Sequence, residues 1–263
     1  MCELFGLSAR RRLDGRTLPL AHFGARGGCV ADNPDGWGIA WRDGAALRLE
    51  KEPIAACRSL RFESLLRSWG SDLAIAHVRK ARHPPINSLV NTHPFLHACC
   101  GRRWVFAHNG LVPGIIPLER ARGAPVCRPE GETDSEFAFC HLLAQVTQGF
   151  HSPAWLGALA EDSAAIARLG QFNFLLSDGE HLFAYGHDRL HYLEHEGFAM
   201  IATEPLTAHP DWRAFAPGEL RIYRQGRWLK APAPAGASAA TTASALPRDP
   251  TPHGGRPCSK PSP

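Results

Sequence analysis

A cysteine at the second position is the residue of this chain with the most distinctive chemistry. The initiator methionine is normally removed when the following residue is small, so we expect Cys2 to become the N-terminal residue. Such a residue combines a nucleophilic thiol with an α-amino group whose pKa is about 7.7–8.0. The amine can accept the thiol proton, directly or through one water, and return it to a leaving amine. Cys2 is therefore a candidate nucleophile for cleaving an amide, although a cysteine here also occurs by chance.

Two further motifs offer groups that an acyl-transfer site needs. Asn109 and Gly110 could aim a side-chain amide and a backbone N–H at an oxyanion, and glycine lets the backbone approach closely. Arg79 follows the apolar run of a predicted strand. A guanidinium held at the end of a strand could bind a small carboxylate through two hydrogen bonds. Each motif also has a simpler interpretation, since Asn-Gly is a strong turn signal and most arginines are ordinary surface residues.

Asp134 completes the set of candidate site residues. It lies in the first turn of the best predicted helix, where the helix dipole stabilises a carboxylate whatever its role. As a functional group it would accept hydrogen bonds from a substrate ammonium. With Cys2, Asn109, Gly110 and Arg79 it would form a site for an α-amino acid amide, with a thiol, oxyanion donors and clamps for both charged groups.

The helix that positions Asp134 is predicted to begin at Thr133. Thr133 and Glu136 form a capping-box pattern. The apolar residues that follow recur at helical spacing, and they are Phe139, Leu142, Leu143, Val146 and Phe150. Two more helices are predicted, over residues 60–69 and 154–169.

Apolar runs predict strands on both sides of these helices. The predicted strands cover residues 4–9, 37–41, 73–78, 104–107, 172–176, 182–185, 190–193, 198–202 and 219–223. Arg10–Arg12 are interpreted as a solvated turn between two strands. Strands, then helices, then strands again predict an α+β layered fold. We expect one domain over residues 1–230 and a disordered Pro/Ala-rich tail over residues 231–263, which has almost no large apolar residues.

Composition excludes several classes of function. The net charge of +4 and the scattered basic residues give no nucleic-acid footprint. No run approaches the roughly 20 apolar residues needed to cross a bilayer, and Met1–Gly6 do not resemble a signal peptide. We therefore expect a cytoplasmic protein whose eight cysteines are reduced thiols, none of them in a Cys-x-x-Cys pair.

Six short motifs occur in an order and at a spacing typical of one enzyme family. They are Met1-Cys2-Glu3-Leu4-Phe5-Gly6, Asp35-Gly36-Trp37-Gly38, His77-Val78-Arg79, Asn91-Thr92-His93-Pro94-Phe95, His108-Asn109-Gly110 and Gly131-Glu132-Thr133-Asp134-Ser135-Glu136. On these motifs the chain resembles the class II glutamine amidotransferases over residues 2–225. It is most similar to their stand-alone bacterial members.

The resemblance implies a four-layer αββα sandwich of the N-terminal-nucleophile hydrolase kind. It also implies that Cys2 attacks the side-chain amide of glutamine, giving a γ-glutamyl thioester and ammonia. Asn109 and Gly110 would form the oxyanion hole. Arg79 would hold the α-carboxylate of the substrate and Asp134 its α-ammonium. Neither a cofactor nor a metal is expected.

The physiological reaction stays open. Members that build a product usually carry a second domain for the ammonia acceptor, and the part predicted to be ordered leaves no room for one. The chain is then a glutaminase that serves a partner synthase, or a self-sufficient hydrolase of another γ-glutamyl compound, as in ergothioneine biosynthesis. A catalytically silent regulatory subunit with the same fold is the non-enzymatic alternative.

Two rival interpretations have weaker support. A metal site could use His93, His97 and Cys100, but paired ligand spacings such as His-Glu-x-x-His do not occur. A nucleotide site could use Gly36-Trp37-Gly38, but Trp41 stands where the dinucleotide fingerprint has its third glycine.

Overall fold

The computed structural model of the protein describes residues 2–82, 87–122, 126–146 and 153–229. The strands of these ranges are β1 (Glu3–Asp14), β2 (Trp37–Asp43), β3 (Ala46–Glu52), β4 (Gly70–Val78), β5 (Phe95–Cys99), β6 (Arg102–Leu111), β7 (Gln171–Ser177), β8 (His181–Gly186), β9 (His191–His195), β10 (Phe198–Ala202), β11 (Arg213–Ala214), β12 (Glu219–Arg224) and β13 (Arg227–Leu229). The α-helices are α1 (Leu20–Ala25), α2 (Leu60–Ser68), α3 (Ile115–Ala121), α4 (Asp134–Val146) and α5 (Pro153–Ala167), and short 3₁₀ turns cover Gly15–Thr17 and Ala56–Arg58.

The strands of the described ranges form two antiparallel sheets. The seven-stranded sheet has the order β11-β9-β10-β1-β4-β2-β3, and the six-stranded sheet has the order β13-β12-β8-β7-β6-β5. Strand β1 starts at Glu3 and pairs with β10 on one side and β4 on the other. The beginning of the chain is therefore held inside a sheet, which limits the fraying expected of a terminus.

Side chains of the strands alternate between apolar cores, as the two-residue period of a strand requires. In β6, Val105 and Ala107 pack between the two sheets, whereas Trp104 and Phe106 pack under α3, α4 and α5. In β1, Phe5 belongs to a third core, which lies under α1 and α2. The resulting layers are helix, sheet, sheet and helix, so the predicted α+β sandwich is confirmed.

Two local predictions about strands are wrong. Arg10–Arg12 do not form a turn, because β1 continues through them to Asp14 with its register against β4 shifted between Ser8 and Leu13. Their side chains are exposed, so charge alone gave a misleading turn signal. Asn109-Gly110 is not a turn either, because β6 runs on to Leu111 and both residues pair with β7.

The predicted helix start is confirmed, but the capping box is only half formed. The Thr133 Oγ1 atom accepts a hydrogen bond from the Glu136 N–H at 3.2 Å, as an N-cap does. The Glu136 carboxylate accepts instead from the N–H groups of Glu130 and Gly131, at 3.0 Å and 2.7 Å. It therefore ties the preceding loop to α4. Phe150, the last residue of the predicted apolar face, lies outside the described residues.

The expectation of reduced cysteines is wrong for four of them. Disulfides join Cys29 to Cys57 and Cys127 to Cys140. The partners are 28 and 13 residues apart in sequence, so no short spacing motif marks them. The cysteines with thiol groups in the described residues are Cys2, Cys99 and Cys100.

Residues 231–263, predicted to be a disordered tail, lie outside the described residues, so the tail and the domain boundary near residue 230 stay predictions. Among the helices described above, none combines the length and the apolar character needed to span a bilayer.

Candidate active site

Strand β1 places Cys2 beside the segment that follows β4. Glu3 pairs with Val78, the last residue of β4, so Cys2 lies next to the backbone beyond it. There the Cys2 Sγ atom accepts a hydrogen bond from the Lys80 N–H at 3.2 Å and lies 3.4 Å from the Lys80 carbonyl oxygen. Burial raises the pKa of the Cys2 thiol. Since the thiol is then protonated at neutral pH, a nucleophilic attack would need a neighbouring base to take its proton.

A buried hydroxyl group fixes the start of β1. The Thr203 Oγ1 atom accepts hydrogen bonds from the Leu4 N–H at 2.9 Å and from the Asn109 Nδ2 atom at 3.3 Å. The Thr203 N–H in turn donates to the Leu4 carbonyl at 3.1 Å. The Asn109 Nδ2 atom also donates to the Cys2 carbonyl. Thr203 therefore links the strand that carries Cys2 to the side chain of Asn109.

Asn109 and Gly110 lie near the end of β6, and the backbone there requires glycine. Gly110 has a φ of +152°, which L side chains rarely adopt. A Cβ atom at this position would overlap the Gln171 carbonyl oxygen and come within 2.7 Å of the His108 Nε2 atom. The absence of a side chain leaves this stretch of backbone accessible from the cavity described below.

Arg79 follows β4 directly, and its side chain is only 4% exposed. Its backbone N–H donates to the Gly36 carbonyl at 2.8 Å, and its Nη1 atom donates to the Asn87 Oδ1 atom at 2.9 Å. The Asn87 Nδ2 atom donates to the Asp35 carboxylate at 3.1 Å, and that carboxylate also accepts from the Ala81 N–H at 2.7 Å. Asn87 therefore orients the guanidinium and is itself held by Asp35, which lies in the loop before β2.

Asp134, the first residue of α4, is held by two backbone donors. Its Oδ2 atom accepts from the Val112 N–H at 2.6 Å, and its Oδ1 atom accepts from the Ser135 N–H at 2.8 Å. The side chain is half-buried. These bonds fix the direction of the carboxylate, which is what a clamp for a substrate ammonium requires.

All five predicted site residues line one cavity of about 80 Å³. The lining consists of Cys2, Arg79, Lys80, Ala81, Arg82, His93, His108, Asn109, Gly110, Leu111, Thr133, Asp134, Ser135 and Gln171. The cavity thus combines a thiol, a carboxamide, an accessible glycine backbone, a guanidinium and a carboxylate. A zwitterionic α-amino acid with an amide side chain has groups that match each of them.

Three buried histidines lie at this cavity, where His93 and His108 are part of the lining and His77 packs against His93. Burial lowers the pKa of each of them, that of His77 to about 3. The His108 Nε2 atom faces the Gln171 carbonyl at 3.1 Å and must therefore carry the proton, so Nδ1 accepts from the Ser135 hydroxyl at 2.8 Å. The rings of His77 and His93 are in contact, with their centroids 4.2 Å apart and their planes tilted by 32°. Neither ring nitrogen of His93 has a hydrogen-bond partner among the described residues.

Sequence reasoning missed the residues that hold the predicted ones in place. Thr203, Asn87 and Gln171 lie in three separate segments. Thr203 accepts a hydrogen bond from Asn109, Asn87 accepts one from Arg79, and the Gln171 carbonyl lies against Gly110. No local pattern marks such residues. The Asp35-Gly36 motif gave a signal, but only the structure connects it to Arg79.

The model of one protein family, described as class II glutamine amidotransferases, matches residues 1–198 of the chain. The chain is 33% identical over 258 residues to YafJ of Escherichia coli, whose name places it among glutamine amidotransferases, and the match covers 86% of this chain and 98% of that protein. It is 26% identical over 182 residues to the gamma-glutamyl-hercynylcysteine sulfoxide hydrolase of Mycobacterium tuberculosis, which covers 68% of this chain and 71% of that protein. A crystal structure of a predicted glutamine amidotransferase from Pseudomonas aeruginosa superposes with a TM-score of 0.61 at 29% identity, covering 87% of this chain and 100% of that one.

Proposed function

Because the chain belongs to the class II glutamine amidotransferase family, we propose that it hydrolyses the side-chain amide of glutamine with Cys2 as the nucleophile. Its fold is the N-terminal-nucleophile hydrolase sandwich that the resemblance implied. The observation that carries the proposal is the convergence of the five predicted residues, from four separate parts of the chain, on one cavity.

In the first half of the proposed reaction, removal of Met1 gives Cys2 a free α-amine, which acts as a base in its unprotonated form. Burial raises the pKa of the thiol, so the amine is needed to take the thiol proton as sulfur attacks the amide carbon. Negative charge then develops on the amide oxygen. The Asn109 side-chain amide and the Gly110 N–H are the donors proposed for that oxygen. In the structure the Asn109 Nδ2 atom donates to the Cys2 carbonyl and to Thr203, so one of these bonds must be exchanged for the bond to the oxyanion.

In the second half, the tetrahedral intermediate breaks its carbon–nitrogen bond. The α-ammonium of Cys2 gives its proton to the leaving nitrogen, so ammonia departs and a γ-glutamyl thioester remains. Water, deprotonated by the same amine, then attacks the thioester and releases glutamate. One group thus serves as base and acid in turn.

The two charged ends of the substrate are assigned to opposite charges in the cavity. Arg79 binds the α-carboxylate, since a guanidinium can bind it through two hydrogen bonds. Asp134 binds the α-ammonium. Holding both ends directs the side-chain amide toward Cys2, which lowers the entropic part of the barrier.

Glutamine hydrolysis by purified Cys2→Ala protein tests the nucleophile. We expect activity to be lost while the folded state persists, because a small residue at the end of a strand contributes little packing. Cys100→Ala is the matched control, since Cys100 is an exposed thiol away from the cavity. Retained activity in Cys2→Ala, or equal loss in a folded Cys100→Ala protein, would contradict the assignment.

The intact mass of the wild-type protein reports whether Met1 is removed, and retained Met1 would favour the silent regulatory subunit.

The second candidate function is hydrolysis of a larger γ-glutamyl compound, which the similarity to the mycobacterial sulfoxide hydrolase favours. A glutaminase that serves a synthase partner is expected to hydrolyse glutamine weakly when alone, because binding of the partner completes the site. The isolated protein should be assayed with glutamine, γ-glutamyl amines and γ-glutamyl thioethers. We expect weak glutaminase activity and no better substrate. A conjugate preferred by more than about 100-fold in kcat/KM would reject the glutaminase and leave the nucleophile assignment in place.

A further inference from the structure

A cluster of metal-ligating side chains lies outside the catalytic cavity. His97 on β5, Cys127 in the loop before α4 and Cys140 on α4 place one possible ligand atom each within 4.8 Å of the others. Cys127 and Cys140 are buried, and the side chain of His97 is 13% exposed. In the structure the two cysteines form a disulfide. It is the one cluster of three or more such ligands found among the residues that the structure describes.

From this geometry we infer that the cluster is a redox-controlled zinc site. Two thiolates and an imidazole are ligands that Zn²⁺ prefers, and a water molecule can complete a tetrahedral shell. The two negative thiolates neutralise the two positive charges of Zn²⁺, so the buried group of ion and thiolates carries no net charge. The disulfide is then the oxidised form of the same pair of residues.

Glu136 contacts the histidine of the proposed metal site and can orient its ring. Its Oε1 atom lies 2.9 Å from the His97 Nε2 atom, so the imidazole donates its Nε2 proton to the carboxylate. That tautomer leaves Nδ1 without a proton and able to bind a metal. A carboxylate behind a histidine ligand is the usual arrangement in zinc sites. Glu136 also accepts from the N–H groups of Glu130 and Gly131, so it is already committed to the loop.

The chemistry of the switch balances with a thiol reductant as co-reactant. Two equivalents of thiol reduce the Cys127–Cys140 bond, which gives two protein thiols and one disulfide of the reductant. Binding of Zn²⁺ then displaces one proton from each thiol, so two protons are released per ion. In the reverse direction a small-molecule disulfide accepts two electrons from the two thiolates and becomes two thiols, the Cys127–Cys140 bond forms again, and the metal ion loses two ligands and leaves.

The other cysteines in the described ranges do not have this arrangement. The Cys29–Cys57 disulfide has no third ligand among the described residues within the same distance. Cys99 is two residues from His97 on β5, but its Sγ atom contacts the Cys100 Sγ atom at 3.2 Å instead. The Cys29–Cys57 pair is therefore the natural internal control.

The test uses the full chain, reduced with dithiothreitol under anaerobic conditions, loaded with Zn²⁺ and freed of excess ion. We expect one tightly bound Zn²⁺ per wild-type chain by elemental analysis, and loss of that ion in Cys127→Ser and in His97→Gln. Cys29→Ser should retain it. Loading with Co²⁺ instead should give thiolate-to-metal charge-transfer absorption that is absent from Cys127→Ser.

Circular dichroism of each variant separates loss of a ligand from loss of the fold. Wild-type protein that binds no more Zn²⁺ than folded Cys127→Ser would overturn the inference and leave a structural disulfide only. Equal loss in Cys29→Ser would overturn it as well. If Cys127→Ser does not fold, proton release decides the matter, because two protons per Zn²⁺ are expected from the reduced wild-type chain. Failure to release them would reject the site. The readouts measure metal, so they are independent of glutamine hydrolysis.

Discussion

At the scale of single residues, the site combines groups whose charge states are set by burial. The thiol of Cys2 has a raised pKa, and the three histidines near it have lowered pKa values, so all four groups are neutral at pH 7. In the structure the hydrogen-bond partners of the Cys2 Sγ atom are backbone atoms of Lys80, and none of these histidines is among them. The α-amine is therefore the base in the proposed reaction. Of the charged residues that line the cavity, Arg79 and Asp134 are the two assigned to a zwitterionic substrate.

Arg79 provides the sharpest residue-scale prediction. We expect Arg79→Lys to lower kcat/KM for glutamine by about 10- to 100-fold, because a charge-assisted hydrogen bond is worth about 1.5–3 kcal/mol. Lysine keeps the charge but cannot bind a carboxylate through a planar fork. Steady-state kinetics of glutamate release measures the effect, which should fall mainly on KM.

The control for this variant is Arg16→Lys. Arg16 is exposed, pairs with Asp14 at the end of β1 and does not line the cavity. Unchanged kinetics in Arg79→Lys would remove Arg79 from the substrate site, whereas a loss in Arg16→Lys of similar size would indicate a general effect of replacing arginine.

At the scale of elements, the strands that sequence patterns predicted are those inside the sheets. The strands that were missed, β3, β5, β11 and β13, are the edge strands of the described sheets. Strand β3 shows the reason, because Ala46–Glu52 includes several charged residues and only Leu47 is buried. An edge strand is held by backbone pairing with one neighbour, so its side chains need not follow an apolar pattern. Pairing with a distant segment cannot be read from local sequence.

Gly110 gives an element-scale prediction, because β6 and β7 can pair as they do only without a side chain there. We expect Gly110→Ala to reduce the free energy of unfolding by at least about 1–3 kcal/mol, from backbone strain and the clash with the Gln171 carbonyl. Urea denaturation measures this loss. Gly157→Ala is the control, since Gly157 lies in α5 with nothing within 4 Å of a new Cβ atom. It should gain about 0.5–1 kcal/mol, and a stable Gly110→Ala protein would contradict the strain argument.

Thr203 joins two elements, and its hydroxyl group has a testable role. Thr203→Val keeps the shape of the side chain but leaves the Leu4 N–H without its acceptor, which should cost about 1–3 kcal/mol of unfolding free energy. It also removes an acceptor of the Asn109 amide, so kcat should fall more than KM rises. Thr203→Ser retains the hydroxyl and should preserve most of both quantities. If Thr203→Val keeps wild-type stability and kinetics while Thr203→Ser loses them, packing by the methyl group, and not the hydrogen bonds of the hydroxyl group, accounts for the role of Thr203.

At the scale of the whole molecule, the candidate site residues could be named from sequence because each lies in a distinctive motif. Their convergence on one cavity required the fold, since Cys2 comes from β1, Arg79 from the end of β4, Asn109 and Gly110 from β6 and Asp134 from α4. The disulfide partners of Cys29 and Cys127 could not be read from sequence for the same reason. Residue chemistry is local, whereas proximity between segments is a property of the sheets.

The three buried histidines make the stability of the whole molecule depend on pH. A histidine in the unfolded chain titrates near 6.5, whereas burial lowers the pKa of His77 to about 3 and lowers those of His93 and His108 as well. Between those values the unfolded chain binds protons that the folded chain does not. The stability that depends on these groups is therefore fully present above about pH 6.5 and is lost as the pH falls toward the folded-state pKa values.

We expect the free energy of unfolding to fall by more than about 1 kcal/mol from pH 6 to pH 5, because His77, with a folded-state pKa of about 3, alone contributes about that much and His93 and His108 add to the fall. Urea denaturation across that range gives the slope. His93→Gln should lower the slope, because one buried titrating group is removed. His209→Gln should leave it unchanged, since His209 is exposed. A wild-type slope near zero would mean that these histidines are protonated in the folded protein. The neutral charge state assigned to them would then be wrong.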